Sequence, residues 1–63
     1  MNDRAHLLDI PEVAIRLGVS RGTVENLIYR GELRSVLIHR CRRVALIDLE
    51  RYVDDLRGEP ALT

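Results

Sequence analysis

Sixty-three residues make one small domain, too short to wrap an enclosed substrate pocket as well as a core. A single cysteine and two distant histidines exclude an internal disulfide and a metal-ligating cluster, and no apolar run is long enough to span a membrane. The formal net charge of zero hides an uneven spread: residues 16–43 hold Arg16, Arg21, Arg30, Arg34, Arg40, Arg42 and Arg43 against Glu25 and Glu32, a net charge of +5, while residues 1–15 carry −2 and residues 44–63 carry −3.

Asp9 with Glu12 three residues later has the form of a capping box, and Pro11 sits where a first helical turn tolerates it. Ile10, Val13, Ala14 and Leu17 then recur at helical spacing, and Gly18 is placed to stop the helix. The first helix is therefore predicted over about 10–17. Ser20 is a good N-cap for a second helix over about 21–30, with Val24, Leu27 and Ile28 as its buried stripe and Gly31 as its end. Two short helices across a three-residue turn, Gly18-Val19-Ser20, have the pattern of a helix-turn-helix.

After Leu33 the period changes. Val36-Leu37-Ile38 and Val44-Ala45-Leu46-Ile47 read as strands, with His39-Arg40-Cys41-Arg42-Arg43 as a basic hairpin tip between them. Alternation then puts Val36, Ile38, Val44 and Leu46 on one face, and Leu37, Ala45 and Ile47 on the other. Asp48 is expected to cap a third helix carrying Leu49, Tyr52, Val53 and Leu56, ended by Gly58 and Pro60, with a disordered tail of about five residues. The expected fold is mainly α with one β-hairpin, a winged helix-turn-helix forming a single domain over residues 1–63, ordered over about 6–58. Its expected core is Leu8, Ile10, Val13, Ala14, Leu17, Val19, Val24, Leu27, Ile28, Leu33, Ile38, Val44, Leu49, Val53 and Leu56.

A basic stretch on one part of a small fold is the electrostatic footprint of a nucleic-acid binder. On a helical wheel the second helix turns Gly22, Glu25, Asn26, Tyr29 and Arg30 away from its apolar stripe, with Arg21 and Thr23 at the edges and Ser20 at its start. Asn pairs bidentately with adenine and Arg with guanine in a major groove, and a glycine brings the helix backbone close. Glu25 suits either a cytosine amino group or a role orienting Arg21 one turn back. A solvated helix face alone has the same composition, but the turn before it and the basic hairpin after it favour the groove. Arg40, Arg42 and Arg43, with Arg34 just before the first strand, suit a wing on phosphates, although charge also guards an exposed strand edge against aggregation. Lysine is absent; codon bias in a GC-rich genome is the main expected cause, and the fit of guanidinium forks to phosphates and guanine edges can hold beside it. His6, His39 and Cys41 read as surface residues. With two tyrosines and no Phe or Trp, stacking on single strands is disfavoured. No nucleophile–base pair or carboxylate dyad stands at usable spacing, so no enzyme, cofactor or small-molecule substrate is expected. The polar start at Met1–Arg4 is not a signal peptide, and the cytoplasm is the expected location.

The strings LLDIPEVAIRLGVSRGTVENLIYRGEL (7–33), VLIHRCRR (36–43) and LERYV (49–53) together resemble the excisionase-type winged helix-turn-helix domain, itself related to the DNA-binding head of MerR-type regulators. The resemblance covers about residues 7–56 and is most specific at LGVSRGTVENLIYRGEL. It implies Ser20, Arg21, Gly22, Thr23, Glu25, Asn26, Tyr29 and Arg30 as positions facing a major groove, and Arg40, Arg42 and Arg43 as wing positions. The family commonly has glycine where this chain has His39, an aromatic at Arg42, an apolar residue at Arg16 and a polar one at Ile15. A chain ending after the third helix resembles the stand-alone recombination directionality factors. That likeness implies duplex DNA, neighbouring copies of the protein and an integrase as partners. A small transcriptional regulator is the nearest alternative, and a protein-interaction or antitoxin-like module the next.

Overall fold

Asp9 opens helix α1 (Ile10–Leu17): its carboxylate accepts the Glu12 amide at 2.9 Å, with Pro11 in the first turn. The reciprocal half of the capping box does not form, because the Glu12 carboxylate takes the Nε–H of Arg16 one turn on, at 2.8 Å. Gly18, at φ 73°, ends the helix, and the amides of Gly18 and Val19 return to the carbonyls of Ile15 and Ala14. The same closure ends helix α2 (Arg21–Tyr29), where Gly31 at φ 79° donates to Ile28 and Glu32 donates to Leu27. Both helix stops thus rest on a glycine in a conformation that costs an L-residue on the order of 1 kcal/mol. The structure, a computed structural model, describes residues 6–58. Pro60 and the expected tail disorder lie outside the described residues.

The chain's second half departs from the expected boundaries. Strand β1 (Leu7–Leu8), unforeseen in so short an apolar pair, lies antiparallel to β3 (Cys41–Ala45), which also pairs with β2 (Val36–Ile38) in the order β1-β3-β2. The hairpin tip is two residues, His39 and Arg40, rather than five, and Cys41, Arg42 and Arg43 belong to the strand. Five tip residues would have set Ile38 opposite Val44, whereas the actual pairs are Val36–Arg43, Leu37–Arg42 and Ile38–Cys41. That is a slip by an odd number of positions, which exchanges the two faces of a strand. Val44 therefore faces the helices alongside Leu8, its β1 partner, and shares that side with Leu37 and Arg42. Val36 and Ile38 lie on the outer side with Leu7 and are exposed.

Leu46 and Ile47 are not strand residues. They open helix α3 (Leu46–Arg57), whose N-cap is Ala45; Asp48 sits inside the first turn, where its charge complements the helix dipole. Ala45 has no side chain to cap with, but the Leu46 amide is taken by the His6 carbonyl at 2.8 Å, so one orphan donor of the helix is satisfied by continuing the β1–β3 pairing. Leu46, Leu49 and Val53 then fall on one helical stripe.

Leu8, Val13, Ala14, Val24, Leu27, Leu33, Val44 and Leu49 form the buried core, flanked by Ile10, Leu17, Ile28, Leu46 and Tyr52. Three expected core members, Val19, Ile38 and Leu56, are exposed instead. Val19 lies in the turn and Ile38 on the outer sheet face, while Leu56 falls past the end of the surface that α3 covers.

Candidate nucleic-acid interface

Burial fixes the rotation of α2. Val24 is fully buried and Leu27 nearly so, while Tyr29 on the far side is 90% exposed. Arg21, Gly22, Thr23, Glu25, Asn26 and Tyr29 on α2, with Ser20 at its N-cap and Arg30 at its C-cap, are all exposed. Ser20 holds the start of that helix: its Oγ accepts the Thr23 amide at 3.1 Å and lies 2.9 Å from the Thr23 hydroxyl. Those two hydroxyls are occupied locally and shape the helix end. No acid stands in the first turn, which leaves the positive end of the helix dipole uncompensated and suited to an anion such as phosphate.

Gly22 has a specific geometry. A Cβ built there meets nothing closer than the Ser20 Oγ at 3.8 Å, so the fold has room for alanine. Gly22→Ala should raise stability by about 0.5–1 kcal/mol through helix propensity. On a face docked against a duplex, the added methyl should also weaken binding. Thermal melts and a binding titration on the same variant check both signs.

Among the described residues two arginines of the basic stretch are paired with acids: Arg16 with Glu12, and Arg30 with Glu32 at a looser 3.5 Å. Arg21, Arg34, Arg40, Arg42 and Arg43 make no ion pair there. Arg21 and Glu25 both stand exposed on α2 without an ion pair between them. Exposed pairs of the Arg30–Glu32 kind are worth little, so Arg30 can exchange its partner for a base or phosphate.

The wing arginines do not form one cluster. Arg42 and Arg43 alternate across β3: Arg42 donates to the Ser35 Oγ at 3.2 Å, and the half-buried Arg43 donates to the Arg42 carbonyl at 3.1 Å. Arg40 stands alone at the tip. Arg34 lines a shallow cleft with Glu32, Asp48, Arg51, Tyr52 and Asp55, so carboxylates of α3 share its field. Sequence reading set His39 aside as an ordinary surface residue, yet it forms half of the turn, at φ 50°, beside Arg40 at φ 75°. A two-residue hairpin turn with both residues left-handed is the I′ kind, for which Asn-Gly is the usual signal and His-Arg is not.

The family model described as a helix-turn-helix domain matches residues 7–57, which span every described element. Neither a curated protein nor a solved structure matches the chain. The chain belongs to the helix-turn-helix domain family, a DNA-binding architecture.

Proposed function

We propose that this helix-turn-helix chain is an architectural DNA-binding protein of the excisionase type. In this reading α2 enters the major groove, the β2–β3 wing grips the adjacent backbone or minor groove, and several copies occupy neighbouring sites and bend the duplex for an integrase. The observation that carries the reading is the set of five arginines without ion pairs among the described residues: Arg21 on the exposed side of α2, Arg40, Arg42 and Arg43 on the hairpin, and Arg34 just before it. Its resemblance to excisionase-type domains over residues 7–56 supplies the architectural role.

The physical route to bending is short. One module of this kind buries about 600–1,000 Å² on DNA, which is modest for selecting one locus in a genome, so adjacent copies must act together. Gripping two grooves from one side favours a curved duplex, and the energy of that curvature depends on the sequence being bent. The protein performs no chemistry of its own. It acts where the DNA is, in the cytoplasm of a bacterial host.

The two grips have separable roles. Asn26→Ala or Arg30→Ala should relax sequence preference and cost about 1–3 kcal/mol at a site selected from a random duplex pool. Arg40→Ala should weaken binding to all duplexes and lower the salt slope by about one. Circular-permutation gel shifts on the selected site test the architectural role. Several shifted species whose mobility depends on site position are expected. A single species with position-independent mobility would leave the simpler promoter-binding regulator as the better reading.

A further inference from the structure

We infer that β2 is the surface through which two copies of this chain meet on DNA. Its free edge pairs antiparallel with β2 of a second copy, wing to wing, about a twofold axis at Leu37. The inference rests on the DNA-binding reading above and adds to it the contact between neighbouring copies and their relative orientation.

Among the described residues β2 has β3 on one side and no strand on the other. Ile38 and Cys41 close a two-residue hairpin, so this pair exchanges both of its backbone hydrogen bonds. Alternation then turns the amide and carbonyl of Leu37 away from β3, toward the open edge. The side chains there are apolar and uncovered: Val36 is 41%, Leu37 60% and Ile38 41% exposed. Exposed edges are usually guarded by a charge, a proline or a bulge within the strand. Val36-Leu37-Ile38 has none of these, and its register with β3 is unbroken. Arg42 and Arg43 stand on the central strand instead.

The edge fits itself. An antiparallel pair centred on Leu37 exchanges two N–H···O bonds between Leu37 and Leu37 of the second copy. It sets Val36 against Ile38 of the second copy, twice, β-branched against β-branched on the outer face. All three exposed apolar side chains of β2 gain a partner in one step. Charge and area decide when this happens. The same symmetry brings Arg34 near Arg40 of the second copy, and no acid lies between Arg34 and Ile47 to soften that meeting. A three-residue strand on each side also falls far short of the about 20–30 residues a side of a stable interface. Copies free in solution therefore stay apart. On a duplex, phosphates neutralise the arginines and adjacent sites supply a high effective concentration. A twofold contact requires the two sites to run in opposite directions along the duplex.

The test uses the full chain and duplexes carrying two copies of the site selected from a random pool. The two sites stand head to tail, or opposed in either sense, at every spacing over one helical turn. Quantitative gel shifts compare binding of the second copy with binding to a lone site. One opposed arrangement should bind its second copy at least about tenfold more tightly than a lone site, with no such gain head to tail. Leu37→Pro removes the edge amide but no bond to β3, since that amide faces away from it. Leu37→Lys adds a guarding charge to the same edge. Both variants should bind a lone site at least as well as wild type and lose the gain. Circular dichroism melts check the fold of each, and Leu37→Lys decides alone if the proline variant is unfolded. A head-to-tail gain equal to that of opposed sites, or a gain that survives in a folded variant, would overturn the contact. No gain in any arrangement, with lone-site binding intact, would overturn it too and leave the edge to a strand of another protein. Absence of binding to any duplex would instead sink the function on which the inference depends.

Discussion

Leu27→Ala should leave the domain largely unfolded at room temperature. Leu27 is 6% exposed and belongs to the same buried cluster as Val13, Ala14, Val24, Leu33, Val44 and Leu49. It holds the fold in two ways. Its side chain fills the core from α2, and its carbonyl accepts the amides of both Glu32 and Leu33, the bonds that close α2 and turn the chain toward the sheet. Truncating a buried leucine to alanine costs about 2–5 kcal/mol, depending on how far the cavity collapses. A core in a domain of this size rarely supplies more than about 3–5 kcal/mol of net stability. The loss therefore matches or exceeds what is available. Leu56→Ala is the internal control: at 55% exposure its truncation should change stability by no more than about 0.5 kcal/mol. Circular dichroism melts of the two variants side by side should show one protein without a cooperative transition and one close to wild type. A Leu27→Ala protein that melts within a few degrees of wild type would mean that α2 does not pack through this face.

The helix-turn-helix half of the fold was legible in the sequence because each boundary there is signalled by a residue with a physical job. Asp9 and Ser20 accept the amides their positions predict, Gly18 and Gly31 take the left-handed stops, and the apolar stripes fall where a period of 3.6 puts them. The sheet half was less legible for equally specific reasons. The run from Val44 to Ile47 is apolar throughout, so neither period is imposed on it, and the switch from strand to helix at Ala45 carries no capping side chain. The turn at His39–Arg40 lacks the residues that mark a two-residue hairpin. Reading it as five residues moved the register by an odd step and exchanged the two faces of the wing. The exposure of the six candidate positions on α2 could be expected from periodicity alone. The placement of the wing arginines could not, because which of them share a face depends on that register, and because the cleft that Arg34 lines with carboxylates of α3 joins segments distant in the chain.

Charge should make DNA binding by this chain steeply dependent on salt. The sum over the whole chain is zero, yet the basic stretch keeps five arginines without ion pairs among the described residues, on α2, on the wing and before it. If each meets a phosphate, binding releases about five counterions' worth of condensed charge, and log affinity should fall against log salt with a slope of about −4 to −5. Raising salt fourfold should then weaken binding by about 500-fold. A surface whose arginines instead met an acidic protein would give weak or no binding to duplex DNA at physiological salt. The direct measurement is a fluorescence-anisotropy titration of the chain onto a mixed-sequence duplex across a salt series. A straight log–log line of slope near −4.5 is expected, made shallower by about one in Arg40→Ala. An affinity that does not change with salt, or no affinity for duplex DNA at any salt, would contradict it.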